Sequence, residues 1–191
     1  MRQSTRIARG FSRRRGARVA TLGLAFLSAL LLGTCGGNGG SAPVRTVDRV
    51  ELDRYLGTWY EIARYPNSFQ EGCQATTATY SLRDDGDIEV LNACREGGLD
   101  GPRQTAEGKA WIVDTRTNAK LKVRFFWPFS GDYWIIDLGA EYEYAVVGDP
   151  DRDYLWILAR QPRLDEEVVA GILERVKAQG YDPGRLLWTE H

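Results

Sequence analysis

Four residues in this chain have side chains suited to covalent or metal chemistry: Cys35, Cys73, Cys94 and the one histidine, His191. A Ser–His or Cys–His nucleophile needs a base within the fold, and His191 is the last residue. A zinc site needs a His/Cys cluster, and none is spaced along the chain. No Gly-rich phosphate loop is present, and the acids are scattered over turns and one helical stretch. These residues therefore argue against catalysis and against a resident metal or cofactor.

The three cysteines separate by context. Arg2, Arg6, Arg9, Arg13, Arg14, Arg15 and Arg18 form a basic leader without an acid. Val19 to Leu32 follows as a mainly apolar run of 14 residues, short of the roughly 20 that a spanning helix needs and suited to a signal-peptide core. Leu32-Gly33-Thr34-Cys35 resembles a lipobox, with Thr34 a departure from the usual small residue. Residues 1–34 are thus expected to be a lipoprotein signal peptide, with diacylglycerol on Cys35. An ordinary secretory signal with an incidental cysteine is the alternative, and Ser12-Arg13-Arg14-Arg15 hints at twin-arginine export. Residues 35–47 open with a Gly/Ser/Asn stretch and read as a tether, flexible by composition. Gly36 after the cysteine points by analogy to the outer membrane, with the body facing the periplasm.

Cys73 and Cys94 remain as a pair in an oxidising compartment, where disulfides persist. They flank the hairpin turn Asp84-Asp85-Gly86-Asp87. A turn centred on Asp85-Gly86 pairs Cys94 with Thr77, so a bulge near Gly72 or before Cys94, or a coiled edge, must close the gap. Two free or buried thiols are the alternative.

The whole chain has 25 Lys and Arg against 26 acids. Without the seven leader arginines, 18 basic residues face 26 acids, a net charge of −8. Such a body argues against nucleic acid as a partner. Residues 48–191 suffice for one domain with a real core.

These residues must be positioned by strands. After a short lead-in helix over 48–56, strand-like runs recur at 57–65, 74–83, 87–94, 105–114, 119–127, 132–139, 142–148 and 153–161. Between them lie turn signals such as Asp85-Gly86, Thr117-Asn118, Ser130-Gly131-Asp132 and Gly148-Asp149-Pro150. Eight short strands without βαβ spacing predict an antiparallel all-β fold. Trp59 opens the first run and Arg160 closes the last. An Arg over an indole face is a favourable pair, about 0.5–2 kcal/mol, and these two meet only if the sheet closes on itself. A barrel with Trp59 and Arg160 as its floor follows. Residues 164–180 place Val168, Val169, Ile172, Leu173 and Val176 on one helical face, with Asp165 as N-cap and Gly180 as stop. That helix is expected against the outer wall. Residues 185–190 are expected to add a short strand beside the first.

Gly57-Thr58-Trp59-Tyr60, then Asp151-Arg152-Asp153-Tyr154, then Arg160 resemble in order the three lipocalin motifs. Leu52 to Arg64 and Thr77 to Gly86 narrow the resemblance to the bacterial outer-membrane lipoprotein lipocalins, kin to apolipoprotein D. It spans roughly residues 48–189. It implies an eight-stranded antiparallel up-and-down barrel with a C-terminal helix outside, and a fatty acid or lysophospholipid as ligand, stored or carried at the outer membrane. Alternation from Trp59 puts Glu61, Ala63 and Tyr65 on the inner face, and alternation from Arg160 adds Trp156 and Leu158. The family pattern adds Ala78, Tyr80, Val90, Asn92, Ala110, Leu121, Val123 and Phe125. A cup so lined is expected to be apolar through its depth. Phe125-Phe126-Trp127-Pro128-Phe129 reads either as core and turn packing or as a rim around the mouth. A thiol enzyme on a related barrel, and an envelope interaction protein with a filled barrel, stay open as alternatives.

Overall fold

The computed structural model describes residues 42–191; the leader and Cys35 lie outside that range. Eight strands form the barrel: β1 Gly57–Arg64, β2 Cys73–Leu82, β3 Ile88–Glu96, β4 Arg103–Ile112, β5 Lys120–Phe126, β6 Phe129–Leu138, β7 Tyr144–Gly148 and β8 Leu155–Ala159. Each pairs antiparallel with the next. β1 closes the ring by pairing with β2 through Gly57–Tyr60 and with β8 through Tyr60–Arg64. Where β2 leaves β1, the short strand β9, Leu187–Trp188, takes its place opposite Ala63 and Arg64.

Two apolar clusters share the wall. The inner one holds Trp59, Tyr80, Val90, Leu121, Ile135, Val147 and Leu158. The outer one holds Ile62, Ala63, Tyr65, Val146, Leu155 and Ile157 beneath helix α2, Glu166–Ala178. β7 is buried at every position, because cup and helix cover its two faces; this is why Tyr144-Ala145-Val146-Val147 shows no polar alternation. α2 presents Ile172 and Val176, one turn apart, to the wall. Glu166 and Glu167 in its first turn and Arg175 and Lys177 in its last suit the helix dipole. Asp165 holds the N-cap position, though its side chain makes no capping bond. Gly180 ends the helix at φ +87°, a conformation that favours glycine.

Several expected boundaries shift. The lead-in helix is one turn, α1 Leu52–Tyr55. β6 begins at Phe129, opposite Phe126, so Ser130, Gly131 and Asp132 are strand residues and the turn is Trp127-Pro128. Proline fits there because the turn asks no ladder N–H of it. In the β2–β3 hairpin Thr77 faces Ala93 rather than Cys94, and a bulge lies between Gln74 and Thr77. That bulge, with Ala75 at φ +46°, brings the Cys73 and Cys94 Cα atoms to 5.5 Å, and the two sulfurs are bonded. Residues 42–47, expected as tether, lie on the barrel: Val44 is buried in the outer cluster, and the Val47 N–H donates to the Ile135 carbonyl at 3.0 Å.

Candidate ligand-binding site

The strand ends define two poles. One pole is closed by α1, Trp59 and Arg160. There the Trp59 indole N–H donates to the Tyr55 carbonyl at 2.8 Å. The Arg160 guanidinium donates to the carbonyls of Thr58, Arg54 and Leu56 at 2.9, 2.6 and 2.9 Å. One cation thus collects carbonyls that the α1–β1 bend leaves without partners. The opposite pole is the mouth, where the loops 65–72, 97–102, 127–128 and 149–154 gather.

Register places Ala78, Tyr80, Val90, Asn92, Ala110, Leu121 and Val123 on the inner face. Ala78 pairs with Trp59 and Asn92, Tyr80 with Val90, and Ala110 with Val123. Phe125 joins them despite a bulge in β5. A Cβ added to Gly108 would stand 2.7 Å from the Phe125 ring, so Gly108 is the bare spot on which that ring rests.

Ala63 and Tyr65 require correction. A bulge between Glu61 and Ala63 inserts one residue into β1. Side chains beyond it change face, so Ala63 and Tyr65 belong to the outer cluster under α2. Arg64 takes the inner face instead, opposite Trp156, and bonds Glu61. Nothing in the alternation of β1 announces that extra residue.

The cup is also less apolar than expected. The Tyr133 hydroxyl shares hydrogen bonds with those of Tyr55 at 2.7 Å and Tyr80 at 2.9 Å. Burial pushes the Tyr80 hydroxyl up to about 12 and holds Tyr55 and Tyr133 well above their ordinary range. The trio is therefore neutral, a polar but uncharged belt low in the barrel. Asn92 Oδ1 and Thr76 Oγ1 are buried without partners. Tyr55 and Tyr133 were not among the expected lining. Tyr133 follows once Leu121 is known to face it, whereas the inward turn of Tyr55 depends on the bend after α1.

Depth divides the cup. Around the tyrosines, between Ile88, Val90, Ala110 and Leu121, the remaining void is about 10 Å³ for the centre of a water-sized sphere, room for one water. The lower half is packed. Above it the inner face opens: Val90 and Ala110 are buried, Ala78 and Asn92 half-buried, Ala106 and Gly131 exposed. A Cβ added to Gly131 meets nothing within 4 Å. The accessible part is thus an upper cup walled by Ala78, Asn92, Val123, Phe125 and Trp156. With Cys73 and Cys94 bonded to each other, neither can serve as a free thiolate nucleophile.

Comparisons with known proteins agree with this architecture. Outer membrane lipoprotein Blc of Escherichia coli strain K12 is 42% identical over 173 residues, covering 91% of this chain and 97% of that protein. Temperature-induced lipocalin-1 of Arabidopsis thaliana is 39% identical over 152 residues, 75% of this chain and 80% of its own length. Apolipoprotein D of Bos taurus is 34% identical over 152 residues, 75% and 78%. Among solved structures, insecticyanin from the tobacco hornworm Manduca sexta superposes with a TM-score of 0.64 at 21% identity, over 80% of this chain and 87% of that one. The lipocalin-like domain family model matches residues 50–191, and the chain belongs to that family.

Proposed function

We propose that this protein is a lipid-anchored lipocalin on the periplasmic face of the outer membrane, that it binds one acyl chain of a fatty acid or lysophospholipid in the upper cup, and that it stores or transports that lipid without a covalent step. The carrying observation is the graded inner face, packed from Trp59 to Tyr133 and open from Ala78 and Asn92 to the mouth. Affinity comes from taking methylenes out of water, about 0.8 kcal/mol each. The half-buried Asn92 supplies a polar group of the kind such a site uses, and the neutral tyrosines close the cup beneath it. Relatives named outer membrane lipoprotein support diacylglycerol on Cys35 and this location. The acidic mature body gives nucleic acid no footing.

Gly131→Phe tests the reading, because its side chain would enter open space in the cup. The purified protein is titrated with a fluorescent fatty acid and melted on the same sample. Affinity should fall at least about tenfold, a loss of about 1.4 kcal/mol, with the melting temperature kept. Unchanged binding would sink the upper-cup site. A wild-type protein that binds no acyl chain would favour the filled-barrel interaction protein instead.

A further inference from the structure

Among the described residues, six of the ten exposed large apolar side chains lie at the mouth, while Leu82 and Val113 lie at the floor end and Leu187 and Trp188 form β9. Phe126, Trp127 and Phe129 are 74%, 82% and 78% exposed, and Phe69, Leu99 and Tyr154 stand on the three other mouth loops. The β5–β6 tip from Phe126 to Gly131 contains no charged residue. Aromatic side chains held out in water on a tight hairpin form the kind of patch that marks a contact with lipid or protein.

The path of the chain says which. Ala42 lies at the same pole: its carbonyl accepts a hydrogen bond from Arg152 Nη2, and Arg152 belongs to the mouth loop between β7 and β8. From Ala42 the chain descends the outer wall. It passes Val44 in the outer cluster and reaches Val50, whose N–H donates to the Thr117 carbonyl at the floor end, at 2.7 Å. Cys35 stands seven residues before Ala42, so the backbone permits at most about 25 Å between them. The eight residues of β1 run about 26 Å along the strand, about 20 Å along the axis of a barrel whose strands tilt by about 40°. Cys35 would thus reach the level of the floor only if all seven residues were stretched close to their limit along the wall. The anchor therefore favours a membrane on the mouth side of the barrel, the side from which Ala42 leaves.

We infer that the barrel docks mouth-down on the bilayer that holds its own anchor, with Phe126, Trp127 and Phe129 sunk into the boundary between headgroups and acyl chains. Trp and Phe suit that depth. The mouth loops carry Glu71, Asp100, Asp149, Asp151 and Asp153 against Arg152, so docking rests on the aromatic tip and not on attraction to anionic lipid. An acyl chain then passes between bilayer and cup without crossing water. The inference deepens the carrier reading and rests on its lipid-bearing Cys35.

The test uses the lipidated full-length mature protein on vesicles of phosphatidylethanolamine and phosphatidylglycerol containing a shallow nitroxide lipid. Tryptophan fluorescence should be quenched, Trp127→Phe should lose the quenched component, and added salt should leave it unchanged. Val113→Trp, a reporter at the floor end, should add none. Equal quenching in Trp127→Phe and wild type overturns the inference, as does quenching of the Val113→Trp reporter. Quenching lost when protein is diluted on the surface makes a second copy the occupant and also overturns it, and so does a Cys35 peptide whose mass shows no lipid. Fatty-acid titration of the same preparation reads the carrier function separately. Binding kept while Trp127 stays unquenched removes the docking alone. Quenching kept without binding removes the carrier reading alone.

Discussion

Glu61 and Arg64 stand three residues apart on one face of β1, their ion pair 2.8 Å long and both side chains buried. Strict alternation would set them on opposite faces. The bulge after Glu61 aligns them, one opposite Leu158 and the other opposite Trp156. Around them Gln70 donates to Glu61 Oε2 at 2.7 Å, the Thr189 hydroxyl donates to Oε1 at 2.6 Å, and Arg64 donates to the Gln70 carbonyl at 2.8 Å. The pair ties β1, the loop after it and the C-terminal segment together near the mouth.

Removing one partner of a buried pair leaves the other charge uncompensated. Arg64→Met should cost about 3–5 kcal/mol in urea unfolding. Replacing both residues should be milder than replacing Arg64 alone, since an apolar pair carries no stranded charge. Glu61→Leu combined with Arg64→Met is therefore expected to recover a large part of the single-variant loss. A double variant no more stable than Arg64→Met would mean that the carboxylate is satisfied without the arginine.

How far the fold was legible in the sequence follows from the same strand. Trp59 and Arg160 were readable because their types and places, on the first and last strands, require closure. The outer helix was readable from Ile172 and Val176, one turn apart. The disulfide was readable as a pairing, though the register alone missed it by the bulge at Ala75. Ala63 and Tyr65 were not readable as outer residues, because a bulge is a backbone insertion with no residue type of its own in Glu61-Ile62-Ala63. Likewise the packed lower cup depends on Tyr55 and Tyr133 meeting Tyr80, a contact made by three elements far apart in sequence.

The floor gives a second prediction. The Arg160 guanidinium carbon is 3.7 Å from the Trp59 ring centroid, and Trp59 is fully buried. Trp59→Ala should destabilise the barrel by about 3–5 kcal/mol, the usual range for deleting a large core aromatic. Arg160→Lys keeps the charge but loses the planar fork that reaches several carbonyls and lies flat on the indole. It should still cost about 1.5–3 kcal/mol, the worth of a charged hydrogen bond. Denaturant melts of both variants decide it. A loss below about 1 kcal/mol for Trp59→Ala would show that the floor is not held by packing.

The tyrosine belt predicts a particular alkaline behaviour. The Tyr80 hydroxyl ordinarily titrates near 10.0 and is held up to about 12, chiefly by burial. Tyr55 and Tyr133 are raised for the same first reason. Between about pH 10 and 12 the unfolded chain releases protons that the native chain still holds. The unfolded state then binds fewer protons, so stability falls as pH rises. Below pH 10 the contribution is complete and the profile is flat with respect to these groups. For Tyr80 the loss across the window is on the order of 3 kcal/mol. Urea unfolding at about pH 9 and about pH 11.5 measures it. Tyr80→Phe should be somewhat less stable at the lower pH, having lost a buried hydrogen bond to Tyr133, yet should fall less steeply between the two. Groups remote from Tyr80 contribute equally in both proteins and cancel from that difference. Parallel slopes for wild type and Tyr80→Phe would mean that Tyr80 meets water in the native barrel. The lower cup would then be open, and the acyl chain would have the full depth of the barrel in which to lie.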